Sequence, residues 1–418
     1  MESIIVGAGL TGLTAAYRLS QKGHKVIVFE KEKYPGGLAA GFEKKDWQWP
    51  LENFFHHLFT SDKAIKKLIA DLDLTDKLFY ARPKTSILYQ GTAYQFDSPL
   101  SLLQFPHLSF QERLRTGLTT ASLKYAGRWE KLEEFTAKNW LEKHYGKRPY
   151  RILWKPLLES KFSDQADQVS MVWFWARIKK RSGRLGYLKG SFQILTERLM
   201  EKIKENGGKI VLNQEIQDLS QFLSQKRKTK PKVIVTTPAS VFLKIAPNLP
   251  SDYKKRLKKM AMLGAINLIL ELKEKFLKDN TYWLNINDPG FPFVAVVEHT
   301  NFISPQYYGN HHLLYVGGYY PQNHHYFKME KQAVLREFLP HLKKINPKLK
   351  QTSIINSWLS TNLYAQPIVP TNYFRLFPPL ETPIPNLYLA NMQQIYPWDR
   401  GINYAIAMGE NVAGIAGQ

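Results

Sequence analysis

Ser3-Ile4-Ile5-Val6-Gly7-Ala8-Gly9-Leu10-Thr11-Gly12 opens the chain, and Lys25-Val26-Ile27-Val28-Phe29-Glu30 follows one helix length later. Together they spell strand, tight turn, helix, strand, acid. Each glycine answers a steric demand. Gly7 allows the turn off the first strand, Gly9 lets the backbone approach a pyrophosphate, and Gly12 lets the helix pack closely on the sheet. A helix starting there offers free N–H groups and its positive dipole end to a phosphate. Glu30 stands where a carboxylate accepts hydrogen bonds from both hydroxyls of an adenosine ribose, and its charge repels a 2′-phosphate. A bare G-x-G-x-x-G is a weak signal. Here an apolar strand precedes it, a helical stretch from Leu13 to Ser20 follows, and the second strand ends in its acid. The stretch therefore predicts a βαβ unit that binds an adenine dinucleotide.

With 418 residues the chain can bury a large core and is expected to divide into two domains. No apolar run reaches membrane-spanning length, since the run Met262 to Leu272 is broken by Asn267 and Glu271. The first strand begins within a few residues of Met1, so no secretory leader and a cytoplasmic location are expected. Cysteine is absent, which removes thiolate nucleophiles and disulfide exchange and leaves redox chemistry to a bound cofactor.

The formal net charge is +23, with lysine-rich runs at Lys179–Arg181, Lys226–Lys230 and Lys254–Lys259. No nucleic-acid-binding module accompanies these runs, so no nucleic-acid partner is expected. Attraction to an anionic membrane surface, attraction to a phosphorylated or carboxylated substrate, and plain solvation of loops are the alternatives.

Further along, Gly36-Gly37 can bring main-chain N–H groups against a ligand lying past the pyrophosphate. Residues 84–96 predict a hairpin around Gln90-Gly91. From Leu100 to about Ile178 the pattern is helical, with breaks at Pro106, Gly146–Pro149 and Pro156. A helix ending at Asn206-Gly207-Gly208 precedes strands at 209–212 and 232–238, with the basic 226–230 stretch expected as an exposed turn. Strand-like runs follow at 265–270, 282–286, 293–297 and 313–316, then a helix near 328–344 and a strand near 354–359. A last strand covers 386–390, and a helix begins near Gly401. No second glycine fingerprint appears, which argues against separate flavin and nicotinamide domains.

With the fingerprint, the Gly36-Gly37 pair and the tail in view, the chain resembles the flavin-dependent amine oxidase superfamily. Protoporphyrinogen-oxidase-like and phytoene-desaturase-like proteins look nearest, with UDP-galactopyranose mutase as a cousin. The resemblance implies FAD as cofactor and an α/β fold: a discontinuous Rossmann-type FAD-binding domain (1–80, 185–262 and 376–418) with an α+β substrate domain (81–184 and 263–375), mainly helical over 100–180. It implies cofactor contacts at Gly7, Ala8, Gly9, Leu10, Thr11, Gly12, Glu30, Lys31, Gly36, Gly37 and Leu38, at Pro238 in the middle segment, and at Asn391, Gly401, Ile402 and Asn403 in the tail. A helix N-terminus at Gly401 suits the negative charge that develops on reduced flavin. The chain departs from the family pattern at Asn391, where many members carry an acid, and at Leu38, where an arginine is common.

The segment Trp49 to Asp62 resembles a histidine-bearing strand near the flavin in the mutase branch, which makes His57 and His56 candidates beside the isoalloxazine. Arg400, just before the tail helix, is the candidate partner for a phosphate or substrate carboxylate. Trp173, Phe174, Trp175, Tyr319, Tyr320, Tyr396 and Trp398 are candidates to wall a substrate cavity, with core packing as the alternative. No metal is expected: the pairs His56-His57, His311-His312 and His324-His325 lack zinc-ligand spacing, and on strands adjacent residues point to opposite faces. The resemblance thus implies hydride transfer from a small, apolar or anionic substrate to FAD. A flavin-dependent mutase acting on a sugar nucleotide is the alternative. A non-catalytic binder of the GDP-dissociation-inhibitor type is disfavoured by the intact Glu30, Gly36 and Gly37.

Overall fold

The computed structural model describes residues 1–125, 127–223 and 230–418. Of the expected basic turn at 226–230, only Lys230 lies within the described residues, and it is exposed. Three distant parts of the chain meet in one five-stranded parallel sheet. Its order is Lys209–Val211, Lys25–Phe29, Glu2–Val6, Lys232–Val235, Leu387–Leu389. The strands are apolar on both faces (Ile4, Ile5, Val26, Val28, Val233 to Val235), as a parallel sheet covered on each side requires. The first strand is central, so every other segment is placed relative to it.

The helices Leu10–Gln21 and Ile402–Ala416 pack together through small residues. A Cβ on Gly409 would lie 2.5 Å from the Thr11 carbonyl oxygen, so the helix backbones approach as closely as they can only with glycine there. A second sheet of seven strands runs in the order Ile354–Pro367, Met262–Leu272, His312–Tyr320, Ala295–Glu298, Thr281–Ile286, Lys84–Tyr89, Thr92–Gln95. The helix Lys331–Ile345 covers it through Val334, Leu335, Phe338 and Leu342. The expected hairpin is present, with Gln90 and Gly91 both at positive φ, as a two-residue mirror-image turn demands.

The structure corrects several expectations. Pro156 does not break the helical region. It sits in the first turn of Lys155–Phe162, where a missing N–H costs nothing, after a wide turn over Tyr150–Trp154. The strands at 262–272 and 354–367 run well beyond their expected ends. Their polar residues find partners inside the protein: buried Glu271 accepts from Lys44 (2.8 Å), Asn356 (2.6 Å) and Trp47 (3.3 Å). Leu185–Leu188 is the central strand between Leu58–Phe59 and Leu78–Ala81. The histidine segment is not a strand either: residues 53–57 are irregular, between the short strands Leu51–Glu52 and Leu58–Phe59.

That irregular segment is held by one buried acid. Glu52 is fully buried and accepts hydrogen bonds from the Tyr187 hydroxyl (2.7 and 2.9 Å to its two oxygens) and the Phe192 N–H (2.7 Å). Its carbonyl accepts from the Tyr315 hydroxyl at 2.8 Å. Burial pushes the Glu52 carboxyl up to about 7, above its ordinary value of 4.5, although these hydrogen bonds pull it back. A carboxyl raised in the folded state favours folding while protonated, and that benefit is lost as pH rises through the folded value. Between about pH 5 and 8 the melting temperature of the native chain should fall, with Glu52 contributing up to about 3 kcal/mol. Glu298, likewise raised to about 7 by burial, adds to the same slope. Thermal denaturation across that range should show a smaller decline for Glu52→Gln than for the native chain. Equal slopes would remove Glu52 as a cause.

Candidate active site

The glycine turn forms an open cradle. Gly7 has φ +106°, and a Cβ on it would lie 2.6 Å from Thr236 Oγ1, whose hydroxyl donates to the carbonyls of Val6 (3.1 Å) and Gly7 (3.2 Å). A Cβ on Gly12 would lie 2.0 Å from the Gly7 carbonyl oxygen, so the helix can start here only with glycine. Around Gly9, by contrast, a Cβ would meet nothing within 4 Å, which is the open space a ligand needs above first-turn N–H groups that lack intrahelical partners. Glu30 accepts from the Ala8 N–H (2.7 Å) and the Glu32 N–H (3.0 Å), which leaves lone pairs on both oxygens for ribose hydroxyls. Gly36 N–H donates to the Ala8 carbonyl at 2.8 Å, so the paired glycines abut the turn. Leu10 and Gly12 are buried, while Thr11 is half-buried. Leu38 is half-buried in the short turn Gly37–Ala39. The cradle, the adjacent carboxylate and the glycine pair fit the adenine-dinucleotide portion of FAD.

Other expected contacts have structural partners of their own. Lys31 is exposed, and its side chain pairs with Glu32 (3.3 Å). Asn391 is buried, with its side chain committed: Oδ1 accepts from Gln393 N–H (3.0 Å) and Nδ2 donates to the Thr237 carbonyl (3.1 Å). Asn403 Oδ1 accepts from the N–H groups of Ala64 (2.9 Å) and Ile65 (3.2 Å), capping the helix Lys63–Asp71. Both asparagines hold backbone in place, and the Asn403 Nδ2 donors remain outside these bonds. Pro238 starts the helix Ala239–Ile245. Gly401 starts Ile402–Ala416, with open space where its Cβ would be, and Ile402 is buried.

His56 and His57 are half-buried. A small cavity of about 40 Å³ is lined by His57, Asp97, Arg181, Ser182 and Trp283. Burial pushes His56 down to about 4, with the charge of Arg400 adding to it, and His57 to about 3, with Arg181 the next cause. Both rings are therefore neutral at physiological pH. His56 Nδ1 pairs with the Phe54 carbonyl (2.7 Å), whereas the buried His57 Nδ1 has no partner. The adjacent histidines His324 and His325 do not point apart but stack, with ring centres 4.3 Å apart, because they lie in a helical turn.

Arg400 donates from Nε to Gln366 Oε1 (3.0 Å) and from Nη2 to the Tyr319 hydroxyl. Lys161, on Lys155–Phe162, donates to the same hydroxyl at 3.3 Å. Asp399 is engaged elsewhere, by Arg177 (3.0 Å), the Trp173 indole N–H (3.0 Å) and the Arg400 backbone N–H (3.0 Å). Trp173, Phe174 and Trp175 are 1–3% exposed, so they serve as core on Met171–Lys180 and not as a cavity wall. Tyr396 packs against Tyr373 and Phe377 and donates to Glu133. Tyr320 donates to the Pro292 carbonyl. Of the expected aromatic wall, Tyr319 stands in the charged cluster, and Trp398 stacks between Trp175 (5.2 Å) and Tyr404 (6.1 Å). Lys161, Arg177 and Asp399 escaped the sequence reading because no local pattern marks them.

The model of the family described as flavin containing amine oxidoreductase matches residues 10–415. Among curated proteins the chain is similar to a 15-cis-phytoene desaturase of an Oncidium hybrid cultivar, 26% identical over 328 residues, covering 68% of this chain and 54% of that protein. The chain spans about half the length of the curated relatives it matches. Its fold is similar to an oxidoreductase from Methanosarcina mazei (TM-score 0.76, 19% identity, 99% of each chain). It is also similar to reduced UDP-galactopyranose mutase (TM-score 0.74, 16% identity, 99% of this chain and 96% of that one). At such identities these two likenesses show the fold alone. With the glycine cradle, its ribose acid and a family match over almost the whole length, the chain belongs to the flavin containing amine oxidoreductases, whose cofactor is FAD.

Proposed function

We propose that the protein is an FAD-dependent oxidoreductase of the amine oxidase and protoporphyrinogen oxidase-like type, acting on a small organic substrate. The observation that carries this is the convergence at one turn: the Gly7–Gly12 cradle, Glu30 and Gly36 meet there, and the helix Ile402–Ala416 packs on the helix leaving it. Bound FAD would supply hydride acceptance, with dioxygen or a quinone as the final electron acceptor. The backbone N–H groups from Leu10 to Gly12 would hold the pyrophosphate and Glu30 the ribose, while Gly36, Gly37 and Gly401 leave room for the rest. The parallel sheet supports assigning 1–80, 185–262 and 376–418 to the FAD-binding domain, with 81–184 and 263–375 as the substrate domain.

In this reading His57 would meet the reacting part of the substrate. A ring kept neutral by burial is a poor base, so its role is to orient through an otherwise unpaired nitrogen and to exclude water. A non-redox mutase reaction is the second reading, favoured by the cation Arg181 in the cavity beside His57. Anaerobic mixing separates them: candidate amines, polyenes or tetrapyrroles bleach the flavin of an oxidoreductase, whereas a mutase turns over a sugar nucleotide only when pre-reduced. In the oxidoreductase case His57→Ala should slow bleaching about ten- to a hundred-fold with FAD still bound. An unchanged rate returns His57 to a packing role.

Glu30→Ala should weaken FAD binding by about 1.5–3 kcal/mol through loss of a charge-assisted ribose contact, read in a fluorescence titration of the apoprotein. Unchanged affinity refutes that contact.

No described helix is long and apolar enough to cross a membrane. Peripheral contact has its own support. Phe110 (67% exposed), Leu114 (48%), Leu118 (64%) and Tyr125 (78%) form an outward stripe on Phe110–Tyr125, beside exposed Leu100. Exposed Arg115, Lys143, Lys147 and Arg148 flank it, which suits an anionic bilayer surface. The chain should sediment with phosphatidylserine vesicles, and the Leu114→Asp/Leu118→Asp variant should lose at least about ten-fold in partitioning. Equal sedimentation of the two proteins excludes the stripe.

A further inference from the structure

The cluster around Tyr319 carries more positive charge than it balances. Lys161 is 8% exposed, yet its ammonium meets no carboxylate. It donates to one phenol and sits 4.3 Å from the centre of that ring. Arg400 donates to the same phenol and lies over the same ring at 5.2 Å, with the neutral Gln366 as its other side-chain partner. The one carboxylate nearby, Asp399, is occupied by Arg177, Trp173 and the chain itself. Among the described residues, no Asp or Glu lies within ion-pair distance of Lys161 or Arg400.

A buried cation without an anion is costly, and hydrogen bonds to a neutral hydroxyl repay little of that cost. Two internal adjustments are visible. Burial lowers Lys161 to about 8, and Arg400 and Lys161 together overcome the burial of Tyr319 to bring its phenol down to about 8. Neither supplies a permanent counter-ion. The Tyr319 oxygen accepts from both cations, so its own proton is directed away from them and is free for a third partner. The strand that bears Tyr319 is also tied to the histidine segment: Asn267, paired with Gly317 two residues before Tyr319, donates from Nδ2 to the Asn53 carbonyl at 2.6 Å.

We propose that Lys161, Arg400 and Tyr319 form an oxyanion subsite that receives a carboxylate or phosphate group of the substrate and so presents the rest of that molecule to the histidine cleft. The proposal rests on taking that cleft as the substrate site. It assigns an anionic substrate, held at one end by two charged donors and a phenol. Lys161 and Tyr319 are binding residues in this scheme, and no bond is made or broken at them.

Calorimetric titration of the full chain, saturated with FAD, with inorganic pyrophosphate and separately with benzoate at physiological salt tests the subsite. FAD content is read independently from visible absorbance. One of the two anions should saturate a single site, and Lys161→Met and Arg400→Gln should each weaken it at least about ten-fold. Lys155→Met, at an exposed lysine of the same helix, should leave the affinity unchanged. Saturation by pyrophosphate assigns a phosphate group, and saturation by benzoate a carboxylate. The bound anion should raise the melting temperature of the native chain, less so that of Tyr319→Phe, which keeps both cations, and not that of Lys161→Met. Absence of saturable binding by both anions overturns the proposal and leaves a Tyr319 phenolate as the internal counter-ion. Binding undiminished in Lys161→Met and Arg400→Gln overturns it equally. A chain that takes up no FAD yet binds the anion through Lys161 refutes the flavin reading and leaves the subsite standing.

Discussion

The close approach of backbone to backbone at the first βα turn governs the rest of the molecule. Gly12 must come within van der Waals contact of the Gly7 carbonyl, and Thr236 bonds both Val6 and Gly7 from the neighbouring strand. Gly409 lets the last helix settle on Thr11. One turn is thereby gripped by the middle and the end of the chain as well as its start. Side chains at Gly7 or Gly12 would push the strand, the helix or Thr236 out of place, and the open space over Gly9 would close. The cofactor cradle and the tertiary assembly are products of the same constraint.

A second theme is polar burial used as structural glue. Glu52 holds the histidine segment against Leu185–Leu188 and the larger sheet. Glu271 collects Lys44, Asn356 and Trp47, and Asp399 collects Arg177 and Trp173. In each case several donors surround one carboxylate, which is what makes burying the charge tolerable. Lys161 and Arg400 stand apart from that pattern. The contrast with three well-satisfied acids in the same chain turns an unbalanced cluster into evidence of a binding role.

The asparagines of the tail show how much of a side chain's role a family pattern leaves unstated. Asn391 and Asn403 fall at positions that suggest cofactor contact, and their side chains also hold backbone: Asn391 caps the turn it begins and bonds Thr237, and Asn403 caps the helix Lys63–Asp71. The aromatic run Trp173 to Trp175 likewise lies on a helix whose whole girth is buried, so periodicity did not distinguish core from cavity.

The sequence by itself determined the βαβ unit, its ligand class and the hairpin at Gln90-Gly91, because these depend on local steric rules acting within about thirty residues. Gly7, Gly9, Gly12, Glu30 and Gly36 sit together as their spacing required. Only the tertiary structure decided the length of the polar-bearing strands, the irregular path of the histidine segment and the company kept by Arg400. Those depend on partners brought from residues 44, 161, 187, 319 and 366, and burial, which sets both the neutrality of His57 and the unmet charge of Lys161, is a property of the assembled fold.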